Sequence, residues 1–186
     1  YSRRGFHVER AERTGSGRLL LCWRKTLSYV ARRPNAGNLE VIYCADGNRR
    51  FAEIALDAGM LYGARLPARG LPFRPYFTDQ EWRQPDRARY MDALAEHRPH
   101  MATVLDLERW QQLDEVLNWA EEAARYAQTV VIIPKAHHII AELPRTVGGA
   151  QVRLGYSVPT RYAGTTVQLH EFEGWPVHLL GGSPER

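Results

Sequence analysis

The sequence predicts an α/β fold built from parallel β/α units, TIM-barrel-like, behind a small basic N-terminal segment. Three observations carry this. Short apolar runs rich in β-branched and aromatic residues recur at intervals of roughly 20 to 30 residues. Segments of helical period separate most of them, the alternation that parallel sheets require. Each run also stops at polar or glycine-rich residues, which is where such folds carry their chemistry.

The elements follow in order. Residues 1–38 form the basic segment, with turn residues at Thr14-Gly15-Ser16-Gly17 and an apolar run Leu19–Trp23. That segment reads equally as a β-hairpin or as a strand and a short helix. The loop Pro34-Asn35-Ala36-Gly37-Asn38 marks the boundary to a second region, 39–186. Leu39–Cys44 reads as a buried strand, and Arg49–Ala58 as a helix, with Phe51, Ile54, Ala55 and Ala58 at helical spacing and Gly59 as its stop. Met60–Leu66 is the next strand. Residues 67–84, rich in proline and aromatics, read as a long ordered loop. Pro85 opens a helix through His97, and Met101–Leu107 is the third strand. An amphipathic helix follows, with Leu113, Val116, Leu117, Ala120, Ala124 and Tyr126 facing the core. Thr129–Pro134, Gln151–Tyr156 and Pro176–Leu180 complete the strands, and Gly148-Gly149 is a turn. Six strands are too few to close an eight-fold barrel. The array is therefore open, or stops short, since Gly181–Arg186 resembles a loop and helix start with no helix behind it.

Composition narrows the function classes. The chain has 186 residues, 44% hydrophobic, enough for one ordinary core. No run approaches the ~20 apolar residues of a membrane helix, and Leu19–Trp23 is too short for a signal-peptide core. A cytoplasmic protein without a membrane partner is expected. Cys22 and Cys44 make neither a disulfide framework nor a zinc cage, and two buried thiols are the expectation. Net charge is +4, but residues 1–35 carry nine of the 25 basic residues and only Glu9 and Glu12 as acids. That asymmetry points to a polyanion, with Arg3, Arg4, Arg24, Lys25, Arg32 and Arg33 as backbone contacts. Lys25 and Lys135 are the only lysines, so nearly all basic side chains can bind phosphate in bidentate fashion, although a GC-rich coding sequence would give the same bias.

The strand ends supply the candidate site. Asp46 and Asp106 are the candidate catalytic carboxylates. Asp46-Gly47-Asn48 also suits a plain turn with Asn48 capping the next helix. Asp106 directly follows Val104-Leu105, so it serves either function or an internal ion pair. Lys135 follows a buried strand and could bind phosphate, form a Schiff base, or stay solvated. Gly155, Tyr156, Ser157, Gly181, Gly182 and Ser183 are candidates for holding a base or phosphate, since glycine backbone can approach such groups closely. His137-His138 points in opposite directions with no carboxylate at close ligand spacing, so no metal is expected. No organic cofactor is expected either, because no P-loop, GxGxxG or serine-nucleophile elbow is present.

The order of these endings resembles the tRNA-guanine transglycosylase superfamily, including phage relatives that insert 7-deazaguanines into DNA. Leu105-Asp106 looks like the family's base-contacting Leu-Asp strand end, Gly155-Tyr156 stands in place of its base-holding glycines, and His178-Leu179-Leu180-Gly181-Gly182-Ser183-Pro184-Glu185 is similar to its YLMGVGTPED strand. The resemblance covers about residues 100–186. It implies a (β/α)₈ barrel that exchanges a guanine through a covalent aspartyl-sugar intermediate. The chain departs from the family in three ways: Pro134-Lys135 replaces the expected glutamine, the zinc-binding cysteines are absent, and the nucleophilic aspartate belongs to the strand after the last one here.

Three readings follow. The first is a transglycosylase-like protein that exchanges a guanine in tRNA or DNA for a 7-deazaguanine, in truncated or degenerate form, with catalysis left open. The second is a β/α enzyme acting on a phosphorylated or carboxylated small molecule held by Lys135 and the Gly181-Gly182 loop. The third is a non-catalytic nucleic-acid-binding accessory protein.

Overall fold

In the computed structural model the residues described are 6–13, 19–25, 39–159 and 164–181. The chain falls into two compact units, Tyr1–Leu39 and Glu40–Arg186. The first contains an antiparallel hairpin of β1 (Phe6–Arg13) and β2 (Leu19–Lys25), which decides between the two readings of that segment.

The second unit is a curled, mostly parallel sheet. Its strands are β3 (Ile42–Cys44), β4 (Leu61–Leu66), β5 (Phe77–Gln80), β6 (Met101–Thr103), β7 (Thr129–Ile132), β9 (Ala150–Ser157) and β10 (Val177–Leu180), joined side by side in chain order. All of these pairs are parallel, and the short β8 (Thr146–Val147) adds an antiparallel hairpin to β9. Gly148 and Gly149, at φ 55° and 86°, make the two-residue turn of that hairpin, where left-handed φ is required at both positions.

One strand overturns an expectation. Phe77–Gln80 lies inside the segment read as a loop, and it sits centrally, between β4 and β6. Three of its four residues are polar, so neither alternation nor an apolar run gives it away. Part of that polarity is met by β6. The Gln80 backbone N–H donates to Thr103 Oγ1 at 3.0 Å, and Thr103 Oγ1 donates to Asp79 Oδ1 at 2.8 Å.

Helices cover the convex side. α1 (Arg49–Asp57) starts at Asn48, whose side chain accepts from the Phe51 N–H at 3.1 Å, and Gly59 follows it at φ 81°. α1 turns only Ala52 and Ala55 fully inward, leaving Phe51 and Ile54 about half exposed, contrary to the expected core face. α2 (Arg87–His97) is capped by Asp86, so Pro85 precedes the cap instead of opening the helix. α3 (Leu113–Ala123) buries Val116, Trp119, Ala120 and Ala123. The faces of α2 and α3 meet Leu66, Ala102, Val104, Val130, Ile132, Val152 and Leu154 in the main core, while Ala52 of α1 packs with Tyr62 and Ala64. No helix among the described residues is long and apolar enough to cross a membrane.

The concave side has its own filling of Phe77, Met101, Val131 and Ile133, with Ile42, Tyr76 and Leu180 packed against them. Phe77 of β5 packs against His178 of β10 with ring centroids 4.7 Å apart and planes tilted by 33°, although β6, β7 and β9 lie between these strands. Only a strongly curled sheet permits that contact, so the unit is a half-barrel with a packed interior. Gly155 makes the curl possible: a Cβ there would lie 2.6 Å from Ile133 Cγ1 and 2.8 Å from Leu180 Cδ1.

Candidate active site at the carboxyl rim

Side chains on the concave face alternate along each strand, so successive inward positions climb from the apolar interior to the rim. On β5 the inward residue above Phe77 is Asp79. On β6 the inward residue above Met101 is Thr103. Beyond β6 the chain stays extended, and Leu107 pairs with Pro134 as an isolated parallel bridge. The Leu107 N–H donates to Ile133 O at 2.9 Å, and the Lys135 N–H donates to Leu107 O at 2.9 Å. This bridge brings the Asp106 and Lys135 strand ends together, so their side chains meet diagonally across it.

Lys135 Nζ is 2.6 Å from Asp106 Oδ2 and 3.8 Å from Glu108 Oε1. The lysine and Asp106 side chains are only 20% and 19% exposed, so Lys135 is not the solvated loop lysine that sequence allowed. Its backbone is held from behind, because Thr165 Oγ1 donates to Pro134 O at 2.9 Å and Thr166 Oγ1 to Lys135 O at 3.3 Å.

Asp79 completes the group. Burial pushes its carboxyl above the usual range, the Thr103 hydrogen bond pulls it back, and the charge of Asp106 pushes it up again. The rim thus pairs an ion pair with a neighbouring carboxyl that is easier to protonate than an ordinary aspartate. Neither Asp79 nor Thr103 was a sequence candidate. The available signal was Tyr76-Phe77-Thr78-Asp79, a short strand-forming run ending in aspartate, much like Thr103–Asp106.

The remaining candidates distribute as follows. Asp46 sits at φ 46° after β3, its Oδ1 accepting from the Arg65 N–H at 2.8 Å and its Oδ2 3.8 Å from Arg65 Nη2. Arg65 also reaches Glu81 at 3.2 Å. Asp46 therefore fastens the turn after β3 to the end of β4, as part of an ion-pair chain beside the rim. A cavity of about 420 Å³ adjoins it, lined by Asp46, Arg65, Gln80, Glu81, Gln84 and Arg89 among others. Gly155 faces the concave side. Tyr156 lies on the opposite face, packed edge-on against Phe172 with centroids 5.3 Å apart, so it does not join the rim group. Ser157 ends β9 half-buried, and Gly181 follows β10 at φ 76°. Gly182, Ser183, Arg3, Arg4, Arg32 and Arg33 lie outside the described residues, and of Arg24 and Lys25 only the strand backbone is described.

Cys44 is a free thiol, exposed on its edge strand and not buried as expected. Its sulfur nevertheless lies over Gly63, and this desolvation, then the charges of Asp79 and Asp46, push its pKa up to about 12. His137 and His138 both meet Glu171, a partner too distant in sequence to be foreseen. The His138 backbone N–H donates to Glu171 Oε2 at 3.0 Å, and His137 Nδ1 lies 3.3 Å from Oε1. The first of these contacts does most to lower Glu171 to about 2. Among the described residues, no three His, Cys, Asp or Glu side chains gather closely enough to hold a metal ion.

Fold and site together define a β/α half-barrel protein with a carboxyl–carboxylate–lysine cluster at the carboxyl ends of three consecutive strands. Residues 55–186 match the family of unknown function DUF6610, and the chain belongs to that family. No curated protein and no solved structure matches it.

Proposed function

We propose that the chain is a transglycosylase-like protein directed at a guanine base in tRNA or DNA, with the half-barrel as part of a TIM-like barrel and the exchanged base a 7-deazaguanine. The supporting observation is the Asp106–Lys135 pair beside Asp79. Guanine's Watson–Crick edge sets the O6 acceptor next to N–H donors, and its N7 is a second acceptor. An ionised carboxylate that only accepts, touching an ammonium that only donates, matches that edge in order. Asp106 would take the N–H donors and Lys135 the O6. Adenine has no O6 and only one N–H donor group on that edge, so it could meet the pair only in another orientation and with one contact fewer.

Base exchange also needs a group that gives a proton to the departing purine nitrogen and takes one from the incoming purine. Asp79, raised by burial and by the Asp106 charge, suits that role. The sugar-attacking carboxylate is assigned to none of the described residues. Asp46 is a poor choice because it already accepts from Arg65. The small-molecule reading is weaker because Lys135 is neutralised by Asp106 and has no free charge for a phosphate. The proposal carries with it a cytoplasmic, phage-related setting.

The test measures equilibrium binding of guanine, 7-deazaguanine and adenine, alongside incorporation of labelled guanine into tRNA and DNA. Guanine should be preferred, and Asp106→Asn should remove both the preference and any exchange. Equal binding of adenine and guanine, or indifference to Asp106→Asn, overturns the proposal.

A further inference from the structure

The four tryptophans with described side chains divide by position. Trp119 is buried and Trp175 is half-buried beneath Arg145, whose Cζ lies 3.6 Å from its ring centroid. Trp82 and Trp110 are instead 51% and 46% exposed. Both lie on carboxyl-end loops, Trp82 after β5 and Trp110 after β6, and these adjacent strands are the ones that bring Asp79 and Asp106 to the rim.

A tryptophan left half in water forgoes much of the largest apolar burial any side chain offers. Two of them on neighbouring loops at the mouth of one site suit a partner with flat faces. Charge says which partner. Arg83 Cζ sits 4.8 Å from the Trp82 ring centroid, and Arg109 adjoins Trp110 in sequence. The rim acids are already engaged. Glu81 takes Arg65 and the Arg83 N–H, Asp86 takes the Arg89 N–H, and Asp106 and Glu108 take Lys135. Among the described residues, Arg83, Arg89 and Arg109 have no carboxylate at ion-pair distance. Planar rings for stacking, beside guanidinium groups that hold no close ion pair, suit unpaired nucleotides.

We infer that Trp82 and Trp110, with Arg83, Arg89 and Arg109, bind the unpaired nucleotides flanking the target base, so that the substrate is a loop or melted strand and not a closed duplex. This rests on the proposed function, because it places those nucleotides beside the Asp79–Asp106–Lys135 cluster. In a duplex each base face is covered by its neighbours, so only a splayed base reaches an indole.

The experiment measures binding of the full chain to a fluorescently labelled 12-nucleotide single strand, to its blunt duplex and to a neutral soluble oligosaccharide. It is run at about 150 mM salt, which subdues contacts made to phosphates alone. Trp82→Ala and Trp110→Ala should each weaken single-strand binding by about 5- to 150-fold, the range for loss of one stacked base. Trp82→Phe should stay within about threefold of the parent. Duplex binding should be weaker and unmoved by either change. Asp106→Asn should keep single-strand binding while losing guanine preference, so failed base recognition alone would sink the transglycosylase reading and leave the platform intact. Unchanged single-strand affinity in both alanine variants, duplex binding with the same tryptophan dependence, or tryptophan-dependent oligosaccharide binding overturns the inference.

Discussion

Lys135→Met removes the ammonium from Asp106 while keeping an unbranched side chain of similar length. At 2.6 Å, and with an effective dielectric of about 20, the pair attracts by ~6 kcal/mol before solvation is counted. Withdrawing both groups from water offsets most of that. With each side chain about one-fifth exposed, the variant should lose the worth of one charged hydrogen bond plus part of the cost of an unpaired carboxylate, about 2 kcal/mol. Glu108, 57% exposed and 3.8 Å away, adds little. For a domain of this size that is a fall of about 4 to 8 °C in Tm. Thermal unfolding followed by circular dichroism on Lys135→Met, Asp106→Asn and the double variant reads it. The double variant should lose at least ~1 kcal/mol less than the two single losses together, because removing one partner already ends the interaction. Strictly additive losses, or a Tm unchanged in both single variants, would refute the pair as an energetic unit.

Other outcomes follow from the same geometry. Because Asp79 is raised in the folded state, the fold holds more protons than the unfolded chain between the ordinary and the raised pKa, and stability falls as pH climbs through that window. Asp79→Asn should therefore unfold less readily than the parent at pH 7 and lose that advantage below about pH 4, where ordinary aspartates protonate, as checked by denaturant unfolding at both pH values. His178 runs the other way. Burial, then Arg153, lower it from 6.5 to about 4, so the folded state binds fewer protons in that interval and stability drops as pH falls across it, by ~2–3 kcal/mol. His178→Phe, which keeps a ring against Phe77, should flatten that slope in a pH series of melts. Gly155→Ala forces a methyl against Ile133 and Leu180 and should cost ~1–3 kcal/mol by overpacking, read as a lower denaturant midpoint at constant m.

Much of the half-barrel is legible in the sequence wherever a strand is apolar on both faces. Thr129–Ile132 is buried at every position, and a run of apolar and β-branched residues announces it. β5 is equally central, yet the Gln80 N–H and the Asp79 carboxyl are both met by Thr103 of β6, and hydropathy cannot register a strand stabilised that way. The site repeats the lesson. Asp106 and Lys135 stand out because each follows an apolar run, but their contact depends on the Leu107–Pro134 bridge, a pairing between residues far apart in the chain. Tyr156 shows the limit of reading strand ends by composition: one step of register turns a side chain from the concave face to the helix-covered one.

The strand order has a consequence for how such a site can change. Because the parallel strands lie side by side in chain order, Asp79, Thr103, Asp106 and Lys135 come from three successive β/α units with nothing interleaved. The cluster is one contiguous stretch of coding sequence. Recombination at either flank can transplant it whole, and the loops around it can diverge without separating its parts.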